Sequence, residues 1–304
     1  MTKLITAAAV KKREYWIEEI RKISGNFGDD SSRLETELST EVKAEGFGAL
    51  INHLRLCGDI PESYGHNSSE EKLYSKYTDS LLSETYKAMG LKSLVLKERA
   101  DAADVEAFAK NFSFVADAKA FRLSRTAKNQ KDFKVQAVDG WKRGKPFAMV
   151  VCPIYQLPNK SSQIYEQATV RNVCVFTYSH LAMLATFGAS EGNEKSEELL
   201  EQIFKAIPAL NPSKDASQYW AAINRTMLGF SKVLNDLWSI EKQAAVESIA
   251  AAKNEALTFL AKEREKIMRM SHDEALRELI KVHKIESKII TINSVSNRGI
   301  LSIQ

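Results

Sequence analysis

From Phe230 to Arg298 the chain contains neither glycine nor proline, and the stretch is crowded with Ala, Glu, Lys and Leu. These residues favour the helix, and nothing in the run breaks its hydrogen-bond ladder. Residues Asp215 to Lys284 are therefore expected to form two or three long helices. Helical patterning also marks the start of the chain. Lys11 to Ile23 carries Tyr15, Ile17 and Ile20 among charges, and Ser32 to Leu56 repeats the pattern after the loop GNFGDDSS. Ser68 and Glu71 have capping-box spacing, opening a helix from Glu70 to Met89 that stops at Gly90.

Between these helical ends the period changes. Short β-type runs follow at Leu94–Lys97, Val105–Phe108, Phe112–Phe121, Pro146–Tyr155 and Val173–Tyr178, and a helix is expected over Ser179–Thr186. Helix, strands, then alternating strand and helix describe an α/β core at about 68–190, with helical additions on both sides. The C-terminal addition runs over about 194–290. With no internal repeat and no low-complexity linker, a single domain over 1–304 is expected.

Composition narrows the functional classes. Lys and Arg total 43 against 39 Asp and Glu, a net charge of +4, which excludes a histone-like polycation. Cys57, Cys152 and Cys174 are far apart, with no Cys-x-x-Cys pair, and read as reduced, buried residues rather than a disulfide framework or zinc ribbon. The N-terminus has no apolar block of signal-peptide length, and the longest apolar run, Phe147 to Tyr155, is interrupted by Pro153. A soluble, intracellular protein is expected. The five histidines show no metal spacing, and nothing suggests a Ser-His-Asp triad or a phosphate-binding glycine loop. Trp16, Trp141, Trp220 and Trp238 read as core.

The chemistry concentrates in Val115-Ala116-Asp117-Ala118-Lys119. Strand alternation puts Asp117 and Lys119 on one face and the alanines on the other. A carboxylate beside an ammonium on a rigid strand can hold a divalent cation together with a nucleophilic water. The cation takes the Asp117 carboxylate and the carbonyl of Ala118, while Lys119 orients the water. Asp104 lies upstream, and a hairpin turning at Lys110-Asn111 would converge it on Asp117; Asp101 competes for that role. Alone, the pattern reads equally as an exposed cross-strand ion pair.

Its surroundings favour the chemical reading. Lys119, Arg122, Arg125, Lys128, Lys131 and Lys134 recur at every third position with Asp132 as the only acid, so residues 119–134 carry +5, more than the whole protein. Such a spacing drifts around a helix and suits a strand end, loop and helix wrapped along a curved polyanion. Ser124, Thr126, Asn129 and Gln130 are interleaved, so both phosphate contact and base reading are available. A cationic segment adjoining a metal-binding strand points to phosphodiester cleavage.

The stretch Val115 to Val135, VADAKAFRLSRTAKNQKDFKV, resembles the catalytic and DNA-reading segment of the HindIII-type restriction endonucleases nearly residue for residue. Weaker counterparts stand in the same order at Glu71–Lys76, Ser162–Tyr165, His180–Ala182 and Ile285–Ile289; residues 1–60 and Gly188–Asp236 are least similar. The resemblance implies a type II restriction endonuclease of the PD-(D/E)XK nuclease superfamily, with a central mixed sheet flanked by helices. It further implies a cytoplasmic homodimer that binds no membrane and uses Mg2+ to cut double-stranded DNA at AAGCTT. The cut falls after the first A and leaves 5′-phosphates and four-base overhangs, while a cognate DNA methyltransferase protects host sites without needing to bind. By position, Asp104 matches the first acid of the family motif, Asp117 the second and Lys119 the lysine, with Asp104, Asp117 and Ala118 at the metal. Arg122, Ser124, Arg125, Thr126, Lys128, Asn129, Gln130 and Lys131 match the DNA-binding stretch, and Glu71 is the candidate for an assisting helix acid. The chain departs from the pattern at Ala103, where the family has proline, and in a shorter segment between the two aspartates. Two rival classes share these features: another nuclease on the same core, for repair or for DNA structures, and a non-catalytic DNA-binding protein.

Overall fold

The computed structural model describes residues 3–97, 102–125 and 130–294. The chain divides into two compact units, one ending at Ala256 and the other beginning at Leu257.

The first unit opens with α1 (Ala7–Arg21), α2 (Phe27–Glu45), α3 (Phe47–Leu56) and α4 (Ser69–Ala88). The pattern from Ser32 to Leu56 is two helices because Gly46, at φ +80°, breaks it. Thr6, Asn26 and Ser68 cap the starts of α1, α2 and α4 by accepting from free backbone N–H groups. The capping box at α4 is half formed. Ser68 Oγ accepts from Glu71 N at 3.2 Å, whereas the Glu71 carboxylate accepts from Asn67 N at 2.6 Å instead of returning to Ser68. Gly90, at φ +85°, ends the α4 connection, and a Cβ there would stand 2.9 Å from the Asn193 side chain.

The sheet follows as β1 (Lys92–Val95), β2 (Val105–Phe108), β3 (Ser113–Ala118), β4 (Phe147–Cys152) and β5 (Val173–Thr177), in that spatial order. β1, β2 and β3 form an antiparallel meander, whereas β3, β4 and β5 are parallel, giving the expected mixed sheet. The β2–β3 turn closes through Ala109 N donating to Phe112 O at 2.9 Å, at the expected Lys110-Asn111 corner. The two parallel pairs require crossovers. One contains α5 (Gln130–Phe133) and α6 (Val135–Gly140), and the other contains α7 (Gln163–Val170). β4 and β5 are buried along their full lengths, which is why they read as continuous apolar runs.

The sheet is covered by α4, α8 (Tyr178–Glu191), α9 (Asn193–Ala206) and α10 (Ala216–Phe230). Phe204 of α9 stacks on Phe147 at 4.8 Å between ring centres, and Tyr86 of α4 meets Phe114 edge-on at 5.0 Å. All three cysteines are buried and free. α11 (Val233–Met268) buries Leu234, Trp238, Glu241, Ala244, Ser248 and Ala252 on one stripe. Its Glu241 pairs with Arg55, and its Glu247 accepts from Leu4 N and Ile5 N at 2.7 and 2.8 Å.

The second unit contains the end of α11, α12 (His272–Val282) and α13 (Ile285–Asn293). Ser271 and Glu274 form a complete capping box on α12. Neither α12 nor α13 buries a residue among those described. No described helix is long and apolar enough to cross a membrane.

His180 lies in the core of the first unit, stacked on Trp238 at 4.4 Å and Trp220 at 5.4 Å, with Nδ1 held by Thr177 Oγ1 at 2.6 Å. Burial lowers its pKa to about 3. A histidine kept neutral in the fold but free to charge when unfolded stabilises fully above the unfolded value, and that stability is lost as pH falls toward the folded one. Between pH 7.5 and 5 this linkage costs about 2 kcal/mol. Urea unfolding of His180→Phe is expected to lose correspondingly less stability than wild type over that range, and equal losses would contradict the assignment.

Candidate active site

β3 presents Val115 and Asp117 toward one face and Phe114, Ala116 and Ala118 toward the other. Asp117 is almost fully buried, and the Lys119 ammonium makes an ion pair with it. The Lys119 backbone is fixed as well: its N–H donates to Val151 O at 2.7 Å, and its carbonyl accepts from Tyr178 Oη at 3.1 Å. The lysine thus extends the strand under control of the neighbouring parallel strand and of α8.

Asp104 converges on this pair. Val105 pairs with Ala116, so the next opposed residues are Asp104 and Asp117, and the two carboxyl groups share a hydrogen bond. Asp101 lies outside the described residues. A third carboxylate, Asp79, arrives from α4, where Lys76 Nζ stands 2.7 Å from Asp79 Oδ2 and 3.6 Å from Asp104 Oδ1. Three carboxylates are thereby interleaved with two ammonium groups. Burial and the neighbouring Asp79 and Asp117 charges push the Asp104 carboxyl well above the usual range. Burial also lifts Asp79, to about 6, against the opposing pull of Lys76. At Asp117, burial is outweighed by Lys119 and by the Asp104 hydrogen bond, so its pKa falls. Burial opposes charge on Lys119, but Asp117 and Asp104 prevail and keep it an ammonium.

The carboxylates suit a hard cation. Asp79 Oδ1 is buried without a hydrogen-bond partner among the described residues, and Asp104 is held as an unfavourable acid beside two others. No group of three or more His, Cys, Asp or Glu side chains among the described residues is gathered as a ready-made metal cage. Ala118, the last residue of β3, lines the same cleft. The cleft has a volume of about 1260 Å³ and is also bordered by Glu71, Lys76, Arg125, Lys134 and Trp141. Trp141 is half-buried and packs against the core from the cleft side, with Lys134 Nζ 5.9 Å from its ring centre.

Glu71 is not drawn into the acidic cluster. It holds Arg122 Nε at 3.4 Å and the Asn67 N–H, two turns of α4 away from Asp79. The periodic signal that could have singled out Asp79 is absent, since α4 is buried without interruption from Tyr77 to Tyr86.

The first expected DNA-contacting residues are engaged within the protein. Arg122 donates to Pro61 O at 3.2 Å and Gly65 O at 3.0 Å, and Ser124 donates from N and Oγ to the Glu62 carboxylate, each at 2.9 Å. Arg125 pairs with Asp132 and lies over the Phe121 ring. Thr126, Lys128 and Asn129 fall outside the described residues, and Gln130 and Lys131 are described only as part of the α5 backbone.

The family model of the HindIII restriction endonuclease matches residues 13–296. The chain is 37% identical over 254 residues to the type II restriction enzyme HindIII of Haemophilus influenzae, an alignment covering 81% of this chain and 83% of that enzyme. With the mixed sheet and the Asp104, Asp117 and Lys119 cluster in place, the match extends over nearly the whole chain, which belongs to the HindIII restriction endonuclease family.

Proposed function

We propose that this chain is a cytoplasmic type II restriction endonuclease that cuts duplex DNA at AAGCTT. It cleaves after the first A and leaves 5′-phosphates with four-base overhangs, in a host whose cognate methyltransferase protects the same sites. The observation that carries the reading is the Asp104–Asp117–Lys119 cluster at the edge of a cleft, continuous in sequence with the cationic segment 119–134.

Asp104, Asp117 and the Ala118 carbonyl are the oxygens that would hold Mg2+, which when bound supplies positive charge to the phosphate and acidifies a water. Asp79 adds negative charge from α4, and its free Oδ1 is available to the ion or its water. Lys119, anchored at both backbone ends and kept protonated by its carboxylate neighbours, orients the attacking water and stabilises charge on the phosphate in flight. In-line attack forms the new P–O bond as the opposite P–O3′ bond breaks; the water's proton passes to solvent and the 3′-oxygen takes one from solvent. Glu71 acts through Arg122 as a support for the loop rather than at the phosphate.

A palindrome has two-fold symmetry, which a homodimer matches with one site per strand. The exposed Leu276, Leu279, Ile280, Ile285 and Ile289 of α12 and α13 support self-association. Helices this short gain their stability from packing. Antiparallel pairing of two α12 helices sets the acidic start of each, Asp273 and Glu274, against the basic end of the other, at Lys281 and Lys284.

Digestion of a plasmid with mapped AAGCTT sites is expected to yield discrete fragments whose 5′ ends begin AGCTT; random nicks or ladders would refute the site assignment. Lys119→Ala should cut on the order of a thousandfold more slowly while retaining site-specific binding in calcium, and normal cleavage would remove the lysine from the mechanism. Millimolar Mg2+ should raise the thermal midpoint of the wild type but not of Asp117→Asn; an equal rise in both would place the ion elsewhere.

A further inference from the structure

The segment Gly58–Gly65 grips residues 121–124 at several independent points. Phe121 N donates to Gly58 O at 3.1 Å, and Ile60 N returns to Phe121 O at 3.3 Å. Gln156 Nε2 holds the Arg122 carbonyl at 2.9 Å, while the Arg122 guanidinium spreads over the carbonyls of Pro61, Glu62 and Gly65. There is no slack behind the grip, because a Cβ on Gly58 would stand 2.9 Å from Pro153 and from the Tyr155 hydroxyl. Its outer end is Glu62. This partly buried carboxylate accepts from both the backbone N–H and the hydroxyl of Ser124, a residue otherwise exposed to solvent. A carboxylate taking two donors from one residue fixes that residue in position and orientation.

We infer that Glu62 is a positioning residue for recognition: it latches the start of the DNA-reading segment at Ser124, in register with Lys119, before DNA is bound. The inference rests on the reading of residues 119–134 as the DNA-contacting segment. Without the latch Ser124 must be fixed at the moment of binding, and that cost falls on the recognised site. Non-specific binding draws on phosphate charge and does not require the segment to be ordered. Neither the carboxylate cluster nor Lys119 touches Glu62, so chemistry on bound DNA is spared.

The test compares wild type with Glu62→Ala, Glu62→Gln and Glu62→Asp on duplexes with and without the cleaved sequence. Binding is measured in calcium and steady-state cleavage in magnesium. Glu62→Ala should lose about tenfold in the ratio of site-specific to non-specific affinity and raise KM by about the same factor, with kcat within about twofold of wild type. Glu62→Gln, which can keep one bond to the Ser124 N–H and one to its hydroxyl, should restore the ratio; Glu62→Asp, charged but too short, should not. Should the alanine variant fail to fold, the aspartate variant carries the same expectation. A loss of stability alone would lower active protein without altering the affinity ratio. An unchanged ratio in Glu62→Ala or Glu62→Asp, or a fall in kcat with KM unchanged, overturns the inference. A wild type that discriminates no sequence overturns the DNA-reading assignment beneath it as well, so the two failures are distinct.

Discussion

Charge is buried at the end of β3, and the architecture around it is what makes that tolerable. Asp117 and Lys119 occupy the edge of a strand whose remaining side chains are almost entirely enclosed. Removing such groups from water costs several kcal/mol each unless partners compensate. Compensation comes from three directions: Asp104 across the antiparallel pair, Asp79 and Lys76 from α4, and backbone bonds from β4 and α8 that hold Lys119 in line. Three carboxylates are interleaved with two ammonium groups, and the raised Asp104 carboxyl shares a hydrogen bond with Asp117. Each flanking element therefore serves both packing and the electrostatics of one point.

The strand pair at the centre was legible from sequence because alternation is a property of the backbone. Asp117 and Lys119 share a face in any strand, and the Lys110-Asn111 turn alone converges Asp104 on them. Asp79 was not legible, since α4 is covered on every side along that stretch and shows no polar face against which an inward carboxylate would stand out. The Ser68–Glu71 spacing marks an acid of the same helix that stands apart from the cluster, where half of a capping box sits beside the Arg122 guanidinium. The same limit applies to Arg122 and Ser124. A run of basic and hydroxyl residues looks alike whether its donors face water or the carbonyls of Pro61 and Gly65, and the difference is made by a segment about sixty residues away. Gly46 divides one apparent helix into two because a single positive φ outweighs an unbroken amphipathic pattern.

Parallel pairing of β3 with β4 forces the intervening chain to travel the length of the sheet, and the cationic segment is carried on that crossover. The segment proposed to contact DNA is thus tied at the front by Lys119 and at the back by the register of β4. On the proposed reading, the chain itself, and not a contact between separate modules, ties the residues that cut to the segment that reads.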